Sequence, residues 1–205
     1  GPPEVATGPG YRIFEVRWPA LKGVDGEGLL LVPDEPPVAN VVAIPDCDVT
    51  PEQFTGLTSG TPDCARVTRS LVRSGCRVLV PLLMDRGCTH SGHPDVAMTN
   101  QPHREFIYRA AYELGRHIVG YEIQKILSAV DAFAAEDLPV GLYGHGEGGM
   151  LTLYTAALDT RARSTVVSGY FQPREGLWSQ PIYRNLFGLL REFGDAEVAS
   201  LVAPR

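Results

Sequence analysis

Four short apolar runs, separated by helix-length stretches, constrain this chain more than any other feature. Asn40–Pro45 (NVVAIP), Cys76–Leu83 (CRVLVPLL), Pro139–Tyr143 (PVGLY) and Ser164–Tyr170 (STVVSGY) are continuous rather than alternating. Continuous runs of this length mark strands covered on both faces, as in parallel sheets. Between them the sequence predicts helices at Thr61–Ser74, stopped by Gly75, at Glu105–Glu136, and at Glu147–Leu158. The second is expected in two pieces, broken near Gly115 or Gly120. Its later half carries Ile123, Ile126, Leu127, Val130 and Phe133 at spacings of 3 and 4. A last amphipathic helix is predicted over Ile182–Phe193.

Ahead of this alternation the pattern changes. Arg12–Pro19 (RIFEVRWP) mixes apolar and charged residues as an outer, half-buried strand does, and Gly28–Val32 (GLLLV) follows a Gly/Asp-rich turn over Lys22–Glu27. The two form a hairpin. The expected fold class is therefore α/β: a doubly wound, mostly parallel sheet with an antiparallel N-terminal hairpin, in a single domain over residues 1–205. Ligands of such sheets bind beyond the carboxyl ends of the strands. The tips after residues 45, 83, 144 and 170 should thus share one rim. The stretch Met84–Arg104 has little periodicity for about twenty residues, a length that in compact domains usually carries function.

The bulk numbers bound the function. A hydrophobic content of 44% supports a packed core, and a formal net charge of -6 with a pI near 5.4 gives no footprint for nucleic acid or an anionic membrane. No apolar run approaches the roughly 20 residues of a membrane helix. No signal peptide is visible at Gly1, so the localisation is unknown, with cytoplasmic and exported-after-processing both open. Cys47, Cys64, Cys76 and Cys88 contain no C-x-x-C pair and read as ordinary thiols, with no metal and no cofactor expected. A Cys88, His90 and His93 set, completed by Asp85 or Asp95, has no standard metal-site spacing.

One short stretch carries the chemistry. GLYGHGEGGM, residues 141–150, fits the dinucleotide fingerprint G-x-G-x-x-G. It equally fits the nucleophile elbow G-x-[nucleophile]-x-G with Gly146 in the nucleophile position. A dinucleotide fingerprint normally follows the first strand of its unit, whereas this one follows about the fifth. No acid ends the next strand to bind a ribose. The elbow fits the context of strand, sharp turn and helix.

At this point the residues resemble a known family. VVAIPDCDVTPEQ (41–53), TNQPHREFIYRAAYELGRHIVGYEIQKILSAVDAF (99–133), GHGEGG (144–149) and SGYFQPREGLWSQPIYRNLFGLLREFGDAEVASLVAPR (168–205) resemble α/β-hydrolases of the dienelactone hydrolase and acetyl xylan esterase type. They resemble in particular bacterial members whose elbow reads G-x-G-E-G-G. The resemblance implies that the chain is the N-terminal two thirds of such a domain, lacking the last strands. It also favours a native glycine over a substituted serine at residue 146. It implies a small-molecule ester or carbohydrate-derived ligand, and a missing C-terminal segment or further domains as partners, with no nucleic acid or membrane.

Serine-type chemistry in this fold needs nucleophile, acid and histidine in that order. Gly146 has no side chain, and none of His90, His93, His103, His117 and His145 follows the elbow. Ordinary serine-esterase chemistry at the elbow is therefore not possible. What remains is an unconventional enzyme or an inactive hydrolase-fold binding or scaffold domain; a dinucleotide-binding domain is a weaker alternative. Candidates to replace the missing oxygen are Glu147, which opens a helix, and His145 in the turn. Asp46, Cys47 and Asp48 lie where the oxyanion-hole loop belongs. Arg86 is a candidate binder of a carboxylate or sugar hydroxyl, Tyr170 gives the rim an aromatic side, and Glu175 is the acid nearest an alternative acid position.

Overall fold

In a computed structural model, residues 1–59, 66–93, 95 and 101–204 are described. Cys64 and the first part of the helix expected over 61–74 lie outside these residues. Among these described residues the chain forms one seven-stranded sheet. In chain order the strands are β1 (Glu4–Gly8), β2 (Tyr11–Leu21), β3 (Val24–Pro33), β4 (Ala39–Ile44), β5 (Cys76–Pro81), β6 (Val140–His145) and β7 (Ala162–Ser168). Their order across the sheet is β1-β2-β3-β5-β4-β6-β7. The first three strands and the β3/β5 pair are antiparallel; β5, β4, β6 and β7 run parallel. The predicted fold class is thus the observed one. The helices are α1 (Pro51–Thr55), α2 (Arg66–Arg73), α3 (His103–Glu113), α4 (Ile118–Ala134), α5 (Glu147–Leu158), α6 (Leu189–Glu192) and α7 (Asp195–Val202).

Strand alternation sorts the core into two layers. Val41 and Ala43 of β4, Val78 and Val80 of β5, and Tyr143 of β6 pack with Phe54 of α1 and Val72 of α2 on one face. Val42 and Ile44, Leu79 and Leu142 pack on the other, against Ile123, Ile126 and Val130 of α4 and Met150, Leu151 and Tyr154 of α5. The long strand β2 is tied to this second layer by Trp18, whose indole N–H donates to the Lys125 carbonyl at 3.0 Å. Among the described residues no helix is long and apolar enough to cross a membrane.

Several expectations need correction. The turn expected over Lys22–Glu27 is only Lys22-Gly23; Val24 already pairs with Leu21, and Gly23 takes the positive φ that so tight a reversal requires. Strand β1, a short and mostly exposed segment, covers the outer edge of β2, so β2 is not the edge strand. The long helix does divide at Gly115. The helix expected over Ile182–Phe193 does not form. Ile182–Arg184 is a single 3-10 turn, Gly188 adopts φ +78°, and only Leu189–Glu192 is α-helical. The apolar periodicity there is overridden because Tyr183 and Arg184 turn inward to the strand tips.

Topology places the site. Strand β5 lies on one side of β4 and β6 on the other, so the winding reverses next to β4. Such a switch point opens a crevice between the carboxyl ends of the two strands. Here those ends are Asp46 after β4 and Gly146-Glu147 after β6.

The core prediction is direct. Ile126 is fully buried between α4 and the sheet. Ile126→Ala should lower the unfolding free energy by about 2–5 kcal/mol, read from urea denaturation, with little change in m-value.

Candidate functional site: a crevice at the switch point

The turn after β6 has the backbone of an elbow. Gly146 sits at φ 58°, ψ -120°, and its N–H donates to the Ser168 carbonyl at 2.9 Å. Close approach of the flanking backbones requires glycine at 148: a Cβ there would lie 2.2 Å from the Ile44 carbonyl oxygen. Helix α5 begins at Glu147, so its free N–H groups point into the crevice.

The space above Gly146 is filled. A Cβ built on Gly146 would lie 2.2 Å from Oδ2 of Asp46. That same oxygen accepts the Glu147 backbone N–H at 2.9 Å, and Oδ1 accepts from Arg86 Nη1 at 2.8 Å and from the Asp48 N–H at 3.2 Å. The Asp46 carboxylate therefore stands both where a nucleophile's side chain would stand and on the Glu147 N–H that would have served an oxyanion. Burial alone would raise its pKa. The hydrogen bonds from Arg86 and Glu147 and the charge of Arg86 outweigh that and hold it at about 2.

Glu147 is not on the open rim. It is fully buried, and three guanidiniums converge on it. Arg86 Nη2 donates to Oε2 at 3.1 Å, Arg184 donates to the same oxygen through Nε at 3.0 Å and Nη2 at 2.7 Å, and Arg104 Nη2 reaches Oε1 at 3.3 Å. Arg104, itself fully buried, makes a bidentate pair with Glu122 at 2.7 Å for each contact and lies over the Tyr183 ring at 4.9 Å. The donors of Arg86 are also engaged internally. Nη1 serves Asp46 and Asp48, and Nε donates to the Tyr183 hydroxyl at 2.9 Å. An ion network of this kind is costly to desolvate and stable only while every member keeps its partners.

The other candidates are scattered around this network. Cys47 is buried, and burial pushes its thiol well above the ordinary value, so it is no nucleophile. His145 is half-buried with Nδ1 3.0 Å from the Ser168 hydroxyl. Tyr170 is buried rather than presented to a ligand; its hydroxyl accepts from Arg174 Nη1 at 2.6 Å. Arg174 in turn lies 3.8 Å from the buried Asp195, whose carboxyl burial raises. Glu175 is exposed on the 3-10 turn Arg174–Ser179.

Asp46, Cys47 and Asp48 are the one group among the described residues whose side chains could jointly approach a metal ion. Arg86 Nη1 already lies 2.8 Å and 2.7 Å from the two carboxylates, which supplies the positive charge. Cys88, His90 and His93 do not cluster. The loop instead knots around His103: its ring Nδ1 donates to Asp85 at 2.7 Å, and Nε2 accepts the His90 N–H at 2.9 Å.

The sequence reading missed Arg104, Glu122, Tyr183 and Arg184. Glu122 was legible, since it stands on the apolar stripe of α4 between Ile118 and Ile126. Arg184 was hidden by the helical periodicity that does not materialise.

Fold and elbow together define the α/β-hydrolase fold. No protein-family model matches the chain, and no curated protein matches it. Solved structures do. An acetyl xylan esterase assignment, provisional, attaches to a Bacteroides fragilis NCTC 9343 protein that superposes with TM-score 0.79 at 16% identity, covering 100% of this chain and 61% of that one. Acetyl xylan esterase 1 from Thermoanaerobacterium sp. JW/SL YS485 gives 0.59 at 16% identity, covering 98% and 65%. A dienelactone hydrolase from Anabaena variabilis ATCC 29413 gives 0.50 at 18% identity, covering 78% and 63%. The chain thus spans less than two thirds of each of these proteins, and at such identities the likeness is one of fold.

Two outcomes follow from the network. Glu147→Gln should cost about 3–5 kcal/mol in urea denaturation, because three guanidiniums lose their shared charge partner. Asp46 gives a pH window. Its carboxyl is held below the ordinary 3.8, so the unfolded chain takes up the proton first as pH falls. Its stabilisation is complete above 3.8 and disappears as pH drops through about 2. Urea midpoints of wild type and Asp46→Asn should therefore converge across that window; a difference that stays constant would contradict the assignment.

Proposed function

We propose that this chain is an esterase-type α/β-hydrolase-fold domain that does not carry out serine acyl transfer and is kept as a binding or scaffold domain. The observation that carries the reading is the Asp46 carboxylate. It fills the space above Gly146 and takes the Glu147 N–H that an acyl-transfer oxyanion would need. The arginine cage around Glu147 argues against the unconventional-base alternative. Both carboxylate oxygens accept guanidinium N–H groups in a buried setting, which leaves no path to a water or substrate. The dinucleotide reading is disfavoured by the same occupancy, since a pyrophosphate would have to share the start of α5 with Asp46 and Glu147.

The ligand class is argued from the neighbours. Their names point to acetylated sugars and small carboxylic esters.

The test is reaction with a fluorophosphonate probe and with aryl acetates. Wild-type protein should show no covalent adduct by intact mass and no turnover above buffer. Gly146→Ser should remain equally unreactive, because the new side chain meets Asp46. An adduct or a burst of phenolate from the wild type would refute the proposal.

A further inference from the structure

We propose that the crevice between β4 and β6 is a self-liganded anion site, in which the Asp46 carboxylate is a permanent internal stand-in for a small carboxylate. The inference rests on the non-acylating reading above and extends it to what the site recognises.

Three kinds of donor converge on this one carboxylate. Helix α5, 12 residues long, contributes the Glu147 N–H at its positive end. Arg86 contributes a guanidinium N–H, and the loop after β4 contributes the Asp48 N–H. A helix N-terminus, a guanidinium and a loop amide aimed at one point make a receptor for an oxyanion. The occupant observed there has the chemistry such a receptor selects: planar, monovalent and ionised, with its pKa held at about 2. It differs from a free ligand only in being attached to the chain.

Attachment explains the pairing with Gly146. Oδ2 of Asp46 lies 2.2 Å from where a Cβ on residue 146 would be, so a side chain at 146 would require the carboxylate of residue 46 to leave the position it holds. Glycine at 146 is what lets the internal carboxylate settle. Attachment also keeps free anions out, since a tethered group acts at a high effective concentration. Removing the Asp46 side chain should therefore expose a vacant site for a molecule of formate or acetate size.

The experiment compares wild type, Asp46→Gly, Gly146→Ser and the double variant by thermal melting in sodium formate and in sodium chloride at equal ionic strength. The Asp46→Gly protein should gain about 2–4 °C in formate near five times its Kd, saturably, while the wild type responds alike to both salts. Gly146→Ser should lower Tm in the wild-type background and much less in the Asp46→Gly background. An Asp46→Gly protein that melts identically in both salts overturns the inference, as does an equal formate shift in wild type or additivity of the two substitutions. Should Asp46→Gly not fold in chloride, the refolding yield is the readout: a yield that rises with formate supports the site, and equal yields overturn it. Reaction of the wild type with the fluorophosphonate probe would defeat the underlying reading. An unreactive wild type with a formate-indifferent Asp46→Gly protein would defeat this inference alone.

Discussion

The buried carboxylate of Glu147 is the constraint on which the rest of the site depends. The elbow forces this residue into the interior, because the turn after β6 must pass close under β4 and the helix starts immediately. A buried charge without partners would cost several kcal/mol. The chain meets that demand by bringing Arg86 from the loop after β5, Arg104 from α3 and Arg184 from the 3-10 turn Ile182–Arg184 onto the one group. These segments are separated by 37–61 residues from Glu147 along the chain. One carboxylate thus ties Arg86, α3 and the Ile182–Arg184 turn to the start of α5. It also explains why Tyr183 is buried and why the expected helix around it is broken: the Tyr183 hydroxyl accepts from Arg86 and Arg184 donates to Glu147, and these inward contacts outweigh the modest gain of continuing a short amphipathic helix.

The same network shapes the chemistry. Arg86 links the two acidic residues of the β4 tip to Glu147, so these groups form one connected set of ion pairs. In an acyl-transfer elbow the first N–H of the helix waits for an oxygen that develops charge only during reaction. In this chain the Glu147 N–H holds a full charge at rest. On the non-acylating reading proposed above, electrostatic preorganisation that would favour a transition state instead favours the folded state. The strained backbone of the turn persists, but with glycine at its apex it imposes no side-chain strain.

Much of the architecture was written locally. The runs over 40–45, 76–83, 139–143 and 164–170 became β4, β5, β6 and β7, and Glu147–Leu158 became α5 with the same bounds, since continuous apolar runs and a strand-glycine-helix junction need no distant information. Strand β1 escaped notice because Val5 and Ala6 are too short an apolar pair to mark a strand, and its place comes from pairing with β2. Helix α7 lay beyond the predicted helix and was overlooked with it. Among site residues, Asp46, Asp48, Arg86 and Glu147 come together in one hydrogen-bonded set, because the tips of parallel strands must meet, but Glu147 lies buried rather than on the rim. Their mutual roles were not legible. Glu147 reads in sequence as an exposed helix-start acid, and nothing local says that Arg104 and Arg184 will enclose it.

The sequence by itself therefore determined the alternation of strands and helices, the sharp strand-to-helix turn, and a glycine, with no side-chain atom, at residue 146. These follow from periodicity, backbone freedom and the presence or lack of a side-chain atom, all of which are local. Only the tertiary structure decided what takes the place of that atom. Asp46 and Gly146 are 100 residues apart, and it is the reversal of winding beside β4 that sets them against each other. The identity of the occupant is a matter of which charges share a buried crevice, and that is settled by packing rather than by any stretch of sequence.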